Sequence, residues 1–274
     1  MALTAHAEAL WLQLEPLLPG LSVEVLPQCA STNTTLLERA RGGDTAPCLL
    51  VAEAQTQGRG RLGRSWTSKP GASLTFSLAL PYAPLDWSGL SLAVGLCLAD
   101  ALDPSGQRIA LKWPNDLWLR SGPGRGRKLG GILIETVVAA GQRVAVIGIG
   151  INVLAQPDAG LTHGLAALLE LDTGVTTASA LVAVAAPLLH MLRRFESEGF
   201  GPLAARYAVR DLLRRQHVLT TQAGVPEGVA EGVDAQGALL VRAGVGADVG
   251  TGSLHRISSG EVSIRLQAAT VTAD

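Results

Sequence analysis

Several stretches of the chain alternate hydrophobic and polar residues, which is typical of β-strands with one buried face. The clearest, residues 73–80, reads S-L-T-F-S-L-A-L, and a shorter one covers residues 23–26. Residues 49–52 are continuously apolar, which indicates a buried strand. Further strands are expected at residues 109–111, 117–119, 129–138 and 144–153, and the last two are expected to form a hairpin.

Other stretches space their apolar residues as a helix does. Helices are expected at residues 4–18 and 87–102, and another at residues 36–40 between the cap Ser31-Thr32-Asn33 and Gly42-Gly43. More helices are expected to follow residue 153 and to end near Arg215. Strands and helices that intermix in this way predict an α+β domain with helices packed on a sheet.

The pattern changes from His217 onward. Short alternating strands are separated there by glycines, and residues 233–237, V-D-A-Q-G, form a turn signal. We therefore expect two domains, residues 1–214 and a small all-β module at residues 215–274.

Residues 173–192 carry no formal charge over about the length that a membrane helix needs. Their bulky residues nevertheless recur with helical spacing on one face, which favours a helix packed against a core. This apolar face is formed by Leu181, Val184, Leu188, Leu192 and Phe195.

Composition narrows the class of protein. The chain has 274 residues, of which 47% are hydrophobic and 16% charged, as in a soluble globular protein. The net charge of −1 gives no global basic field for nucleic acid. Three widely spaced cysteines argue against a disulfide framework, and the N-terminus lacks a signal-peptide pattern, so a cytoplasmic location is expected.

The stretch Q-T-Q-G-R-G-R-L-G-R-S-W-T-S-K at residues 55–69 has three glycines, four cations and no acid. Guanidinium groups bind phosphate and carboxylate through two hydrogen bonds, and glycine amides can approach the same oxygens. The sequence therefore predicts an anion-binding loop, and a solvated surface loop is the alternative. A Walker-type phosphate loop is excluded because the chain has no G-x-x-x-x-G-K-[ST] motif.

Glycines also interrupt two of the predicted apolar strands, at Gly130-Gly131 and in the run G-I-G-I-N at residues 148–152. Glycine weakens a strand and permits close approach of a ligand or another backbone. Two neighbouring strands thinned in this way favour a slot for a flat ligand, and tight packing under a helix is the alternative. Lys128 begins the first of these strands, after residues 121–127, which are expected to form a flexible turn.

The remaining candidates are less specific. Ser31-Thr32-Asn33 is a helix cap or a ligand contact, and Asn115 and Asp116 are turn residues by composition. The histidines show no metal-ligand or triad spacing, and no nucleophile is paired with a base. Cations and glycines without acid–base machinery suit phosphoryl or nucleotidyl chemistry that proceeds by positioning and charge neutralisation.

Four motifs, in this order and spacing, resemble those of the biotin–protein ligase family, the biotin–[acetyl-CoA-carboxylase] ligases. The resemblance covers residues 22–267 and includes Ser31-Thr32-Asn33 upstream and the segments at 237–240 and 259–263 downstream. The motifs are G-R-G-R-L-G-R-S-W at 58–66, K-W-P-N-D at 112–116, K-L-G-G-I-L-I-E at 128–135 and G-I-G-I-N at 148–152.

The resemblance implies a mixed-sheet catalytic domain with helices mainly on one side and a C-terminal SH3-like β-barrel. It implies that biotin and ATP form biotinyl-5′-AMP and pyrophosphate, and that biotin then passes to a lysine of a carboxyl-carrier domain. Arg59, Arg61 and Lys128 are the implied catalytic cations, with Mg²⁺ as a further cation and Asp116 as its implied ligand.

The resemblance also assigns binding positions. Biotin is expected at Ser31, Thr32, Asn33, Gln55, Gly58, Arg59, Gly60, Arg61, Trp66, Lys128, Gly131, Gly148 and Gly150. ATP or the adenylate is expected at Arg59, Arg61, Arg64, Lys112, Asn115, Asp116, Lys128, Asn152 and Arg265.

Three rival functions remain to be distinguished. A lipoate ligase or octanoyl transferase would share the fold but needs an elongated apolar slot. A biotin-responsive repressor would need a DNA-binding domain, and barely 20 residues precede the catalytic region. An RNA-binding module would need stacking aromatics, which the aromatic content of 4% disfavours.

The expected partner is the carrier domain of acetyl-CoA carboxylase or a related carboxylase, without membrane or DNA binding and with a homodimer as an open option. The arginine loop, residues 56–68, is expected to become ordered only when a ligand supplies negative charge.

Overall fold

The structure is a computed structural model that describes residues 3–156, 164–222, 224–225, 227–243, 252–258 and, as backbone, 264–266. The expected C-terminal motif at residues 259–263 lies outside the described residues. A 3₁₀ turn at Leu3–His6 leads into the first helix, and the helices are α1 (Ala7–Leu14), α2 (Thr32–Arg41), α3 (Leu90–Leu102), α4 (Thr177–Glu198) and α5 (Ala204–Arg210).

Seven strands form one mixed sheet in the order β1-β2-β3-β7-β6-β5-β4. Strands β1 and β2 run parallel, and the other neighbours are antiparallel. The strands are β1 (Ser22–Cys29), β2 (Cys48–Gln55), β3 (Ser73–Pro81), β4 (Ile109–Lys112), β5 (Asp116–Gly122), β6 (Arg125–Ala139) and β7 (Gln142–Asn152). The strands and the β6–β7 hairpin expected from the sequence are therefore confirmed.

The side chains of β3 and β7 alternate between the two faces of this sheet and show what each face packs against. Leu74, Phe76 and Leu78 of β3 pack into the larger core, together with residues of α1, α3 and α4. The intervening residues Thr75 and Ser77 lie on the opposite face, where α2 is the helix, among those described, that packs on Leu50 and Val146. Helices therefore lie mainly on one side, as expected, and the thinly covered face is left for a site.

Helix α4 contains most of the segment, residues 173–192, whose lack of charge suggested a membrane helix. It is long and apolar enough to cross a membrane by length and composition, but 56% of its apolar stretch is buried within the protein. The five bulky residues expected on its apolar face are all buried, so its hydrophobicity is used in the core. The prediction of a packed helix is confirmed.

The segment at residues 121–127 differs from its prediction as a flexible turn. Strand β5 continues to Gly122 and β6 begins at Arg125, so the two strands meet in a tight hairpin. Gly122 and Gly124 adopt positive φ angles of 153° and 62°, which glycine tolerates. Lys128 therefore lies inside a strand, opposite Trp118, and its backbone position is fixed by the ladder.

The C-terminal region forms a separate five-stranded antiparallel sheet in the order β11-β10-β9-β8-β12. Its strands are β8 (His217–Thr220), β9 (Glu227–Val233), β10 (Leu239–Ala243), β11 (Leu254–Ile257) and β12 (Ile264–Leu266). A small β module after the last helix matches the expected change of pattern. The boundary at residues 214–215 stays a prediction.

Candidate active site

A cavity of about 930 Å³ opens on the thinly covered face of the large sheet. The beginning of α2, the arginine loop and the strands β3, β6 and β7 surround it, and Leu219 of the C-terminal sheet also lines it. Cavities of this size accommodate cofactor-sized molecules. The sheet face, the loop and the C-terminal sheet thus meet at one site.

The floor of the cavity is a strip of sheet without side chains. Gly131 of β6 pairs with Gly150 of β7, and Gly148 is the next residue of β7 on the same face. A Cβ atom on Gly150 would lie 2.5 Å from the Trp66 ring, and one on Gly148 would lie 2.2 Å from Asn33 Oδ1. These two glycines therefore make room for Trp66 and Asn33.

A network of hydrogen bonds forms the polar wall beside this floor. Ser31 caps α2, since its hydroxyl accepts from the Thr34 amide. The Thr32 amide and hydroxyl both donate to Gln55 Oε1, at 2.8 and 3.1 Å. Ser77 Oγ lies 2.6 Å from both Thr32 Oγ1 and Asn33 Oδ1. The Ser31-Thr32-Asn33 turn is therefore both a helix cap and part of the cavity wall.

The arginine loop is folded back on itself. The Gly60 amide donates to Arg64 O at 2.7 Å, and the Trp66 amide donates to Gly58 O at 2.8 Å. Arg59 Nη2 donates to Glu135 Oε1 at 2.8 Å, and Nη1 donates to Thr34 Oγ1 at 3.2 Å. The expectation that the loop arginines wait for a ligand's charge is wrong for Arg59, because Glu135 supplies a carboxylate.

Arg61 lies deeper in the site than Arg59. Burial lowers the pKa of its guanidinium, the nearby Asp116 carboxylate opposes that shift, and the positive charge of Arg64 adds to it. An arginine keeps its charge despite such a shift. The cavity thus contains a partly desolvated cation, which interacts more strongly with an anion than a solvated one does.

Lys128 and Asp116 form an ion pair at the edge of the cavity. Lys128 Nζ donates to Asp116 Oδ1 at 2.8 Å, and their side chains are 26% and 18% exposed. Asn115 anchors the adjoining turn, because its Nδ2 donates to Ile132 O at 2.9 Å and its carbonyl accepts from the Ile132 amide. The ammonium group is therefore held at a fixed point.

Two further predicted ATP contacts have structural partners. Lys112 Nζ lies 4.6 Å from the centroid of the Trp118 ring, a cation–π contact. Asn152 is buried, and its Nδ2 donates to Ala166 O at 3.1 Å. Both residues line the cavity, so these contacts orient them without removing them from it.

Most residues predicted for the site are brought together. Gly58 instead supports the loop, since a Cβ there would lie 2.3 Å from Trp66 O. The backbone of Arg265 lies in β12 opposite Leu219, and its side chain is outside the described part of the chain. The predicted residues that line the cavity are Ser31, Thr32, Asn33, Gln55, Arg59, Gly60, Arg61, Arg64, Trp66, Lys112, Asn115, Asp116, Lys128, Gly131, Gly148, Gly150 and Asn152.

Sequence reasoning missed Thr75, Ser77 and Glu135. Thr75 lines the cavity, and Ser77 lies beneath it in the network of the polar wall. Their signal was present in the polar positions of β3, which alternate with Leu74, Phe76 and Leu78. Glu135 ends the motif K-L-G-G-I-L-I-E, but its role was not apparent because its partners Asn33 and Arg59 are distant in sequence.

Asp116 is not sufficient to hold a metal ion by itself. Of the cavity-lining residues that the structure describes, Asp116 is the only carboxylate, and its Oδ1 is bound to Lys128. Mg²⁺ sites generally combine one or two carboxylates with substrate phosphates and water. Asp116, between Lys128 and Arg61, acts here as their counter-ion.

Comparison with known proteins agrees with this geometry. Residues 25–152 match the Biotin/lipoate A/B protein ligase family, and residues 216–265 match the Biotin protein ligase C terminal domain. A biotin protein ligase from Aquifex aeolicus, solved in complex with biotin and ATP, is similar in structure with a TM-score of 0.72 and 27% identity. The similarity covers 89% of this chain and 99% of that chain.

Two curated relatives extend over most of the sequence. The bifunctional ligase/repressor BirA of Escherichia coli is 34% identical over 258 residues, 90% of this chain and 75% of the relative. A biotin–[acetyl-CoA-carboxylase] ligase of Mycobacterium tuberculosis is 34% identical over 261 residues, 88% of each. By its sequence, its two matched domains and its cavity, this chain belongs to the biotin protein ligases of the biotin/lipoate A/B protein ligase family.

Proposed function

We propose that this protein joins biotin to ATP and transfers biotin to a lysine of a biotin carboxyl carrier domain. The observation that carries the proposal is one cavity in which Arg59, Arg61 and Lys128 adjoin a glycine floor with a polar wall. The cations suit a carboxylate and a phosphate, and the floor suits a flat ring. Matches to biotin protein ligases along the chain support the same substrates.

The polar wall can distinguish biotin from an apolar acid. A ureido group has one carbonyl acceptor and two N–H donors, and the cavity-lining hydroxyls of Ser31 and Thr32 and the amide of Gln55 contain both kinds of group. Because Asn33 and Trp66 cover Gly148 and Gly150, the fused rings would lie against those two side chains and over Gly131, close to Lys128. Lipoate requires an elongated apolar slot instead, and it has no ureido group with which these polar groups could bond.

The first step has an electrostatic barrier that the cations can reduce. A carboxylate oxygen of biotin attacks the α-phosphorus of ATP, the P–O bond to the β-phosphate breaks, and pyrophosphate leaves with the electron pair. Both reactants are anions, so guanidinium and ammonium groups fixed beside them stabilise the transition state. Arg61, which is partly desolvated, and Lys128, held by Asp116, are suited to this role.

In the second step, the neutral amine of the carrier lysine attacks the acyl carbon of biotinyl-AMP. An amide bond forms, the acyl–phosphate bond breaks, AMP leaves and the amine releases a proton. The cavity opens to the surface beside the exposed Leu62 and Leu219, where a carrier lysine could enter. Because the described residues form no metal site of their own, we infer that any Mg²⁺ arrives with the phosphates of ATP.

Incubation of the purified protein with biotin, Mg²⁺-ATP and a carrier domain tests the proposal. Mass spectrometry should find the carrier heavier by one biotinyl group, on a single lysine. A carrier that stays unlabelled while a known ligase labels it in parallel would exclude this function. Thermal unfolding with biotin or lipoate separates the rivals, because the ligand that binds the folded protein raises the Tm.

We further infer that the carrier belongs to acetyl-CoA carboxylase or a related carboxylase, and that the protein acts in the cytoplasm. Labelling of a lysate of the source organism after addition of biotin should mark that carboxylase subunit. A gel shift with its biotin operon promoter would reveal repressor activity, and sedimentation with and without biotin and ATP would reveal a homodimer.

A further inference from the structure

Glu135 connects two parts of the site through the two oxygens of its carboxylate. Its Oε2 accepts from Asn33 Nδ2 at 3.0 Å, and its Oε1 accepts from Arg59 Nη2 at 2.8 Å. Asn33 belongs to the polar wall, whereas Arg59 belongs to the arginine loop above the cavity. One carboxylate on β6 therefore fixes a wall amide and a loop cation together.

The connection extends across the whole polar wall. Asn33 Oδ1 lies 2.6 Å from Ser77 Oγ, which lies 2.6 Å from Thr32 Oγ1, and the Thr32 amide donates to Gln55 Oε1 at 2.8 Å. A continuous chain of hydrogen bonds thus runs from Gln55 to Arg59. Such chains resist rearrangement of any single member, because each side chain is fixed by its neighbours.

The Glu135–Arg59 pair contributes little to the stability of the fold. Its side chains are 24% and 46% exposed, and ion pairs at this exposure are weakened by solvent. Its consequence is geometric. A free arginine samples many rotamers, whereas Arg59 is held by Glu135 and by Thr34 Oγ1. The cation is therefore in place before an anionic ligand arrives, which reduces the ordering that binding requires.

We infer that Glu135 is a positioning residue for adenylation, which orients Arg59 toward the cavity and couples it to the biotin wall. This inference rests on the proposed function. It differs from a purely structural role in one respect: the effect of Glu135 on the rate must act through Arg59. When Arg59 is absent, the carboxylate has no cation to orient.

A double-mutant cycle measures this dependence. Single-turnover formation of biotinyl-AMP is followed for the wild type, Glu135→Gln, Arg59→Ala and the double variant, at saturating biotin and ATP. Glu135→Gln removes the charge, and the loss of one charged hydrogen bond should slow adenylation about tenfold or more. In the Arg59→Ala background the same change should alter the rate by less than about twofold.

Glu24→Gln provides a matched control. Glu24 holds Arg39 with both oxygens, at 2.7 and 2.8 Å, and the two side chains are about one third exposed. Arg39 lies on α2, as Asn33 does, but neither Glu24 nor Arg39 lines the cavity. Loss of this pair should leave the rate of adenylation within about twofold of the wild type.

Glu135→Asp addresses the risk that Glu135→Gln fails to fold. Aspartate keeps the charge but shortens the reach by one methylene, so it should fold and still slow adenylation in the presence of Arg59. The inference is overturned if either variant adenylates at the wild-type rate, or if Glu135→Gln slows the reaction equally with and without Arg59. Failure of the wild type to adenylate would instead overturn the proposed function.

Discussion

Gly148 lies beneath the side-chain amide of Asn33, so a methyl group on Gly148 would clash with Asn33 Oδ1. Asn33 cannot move aside easily, because it donates to Leu133 O and Glu135 and lies in hydrogen-bond distance of Ser77. The proposed ring slot therefore depends on a hydrogen atom at this position. Gly131 differs, because the atom nearest to a Cβ added there would be Asp116 Oδ1, at an ordinary contact distance of 3.5 Å.

We expect Gly148→Ala to lower both the stability and the affinity for biotin. Overpacking of this kind costs about 1–3 kcal/mol. Gly131→Ala should leave the Tm of the free protein close to that of the wild type but weaken biotin binding, because its methyl group enters the cavity. Thermal unfolding and isothermal titration with biotin distinguish the two. Equal losses of stability in both variants would contradict the different packing of these glycines.

Lys128 is a cation of the cavity that Asp116 holds in place. We expect Lys128→Ala to slow formation of biotinyl-AMP on the order of 100-fold, because an oriented charge beside the reacting oxygens is lost. The affinity for ATP should change far less. Single-turnover rates and a binding titration measure the two effects separately.

Arg125→Ala is the control for this prediction, since Arg125 lies on the same strand and is exposed at its beginning. It should retain the rate of the wild type. Asp116→Asn should slow adenylation to a smaller degree than Lys128→Ala, because Lys128 keeps its charge and loses only its anchor. Unchanged adenylation by Lys128→Ala would show that the ammonium group has no part in the first step.

At the scale of elements, the sequence predicted the strands well because their alternation reflects a local property, one buried face. It also located the strand glycines and the capped start of α2. It misjudged residues 121–127, where glycines and arginines suggested flexibility but the neighbouring strands continue into a hairpin. It also placed the beginning of α3 at residue 87, whereas the helix begins at Leu90 after Gly89 with a φ of 79°.

The site was predictable to the extent that its residues belong to compact motifs. Lys128 and Asp116 come from two different motifs, and their 2.8 Å contact follows from the pairing of β5 with β6, which no local pattern specifies. The Arg59–Glu135 pair joins residues 76 positions apart. Such contacts depend on strand order, so a single sequence without its fold does not reveal them.

The segment that follows α5 contains a buried carboxylate with a raised pKa. Asp211 pairs with Leu111 of β4, and burial raises its pKa to about 6, although amides of Leu213 and Arg214 and the charges of Arg214 and Arg120 oppose the shift. A raised folded-state pKa means that protonation favours folding. The contribution of Asp211 to stability is therefore present at low pH and lost as the pH rises through about 6.

We expect Asp211→Asn to become more stable relative to the wild type as the pH rises from about 4 to about 7, because the asparagine avoids a buried charge. Tm values across this range give the difference directly. Asp44→Asn is the control, since exposed Asp44 also accepts a backbone amide, that of Ala46. Its difference from the wild type should not follow the same trend. A difference for Asp211→Asn that grows toward low pH would have the wrong sign.

At the scale of the whole molecule, the C-terminal sheet contacts the catalytic domain beside the motif K-W-P-N-D at residues 112–116. Buried Trp113 donates from Nε1 to Gly237 O at 3.0 Å, and Trp113 lies directly before Pro114 and Asn115. The approach is close, because a Cβ on Gly237 would lie 2.7 Å from Gly89 Cα. The position of the turn before β10 is thereby coupled to the wall of the cavity.

We therefore expect Gly237→Ala to disturb the contact between the two sheets and, through Trp113, the ATP end of the site. Gly141→Ala is a closely matched control, because Gly141 and Gly237 have φ angles of 75° and 76°, but nothing lies within 4 Å of a Cβ on Gly141. Both variants carry the strain of a left-handed alanine, about 1 kcal/mol. Only Gly237→Ala adds a clash, which should cost a further 1–3 kcal/mol or so.

Thermal unfolding and the apparent KM for ATP measure these effects together. Gly237→Ala should have a lower Tm than Gly141→Ala and a higher KM for ATP, whereas Gly141→Ala should keep the KM of the wild type. Equal Tm values would mean that the close contact between the two sheets at this turn does not contribute to the stability of the fold. A lower Tm with an unchanged KM would mean that the C-terminal sheet stabilises the protein but does not shape its ATP site through Trp113.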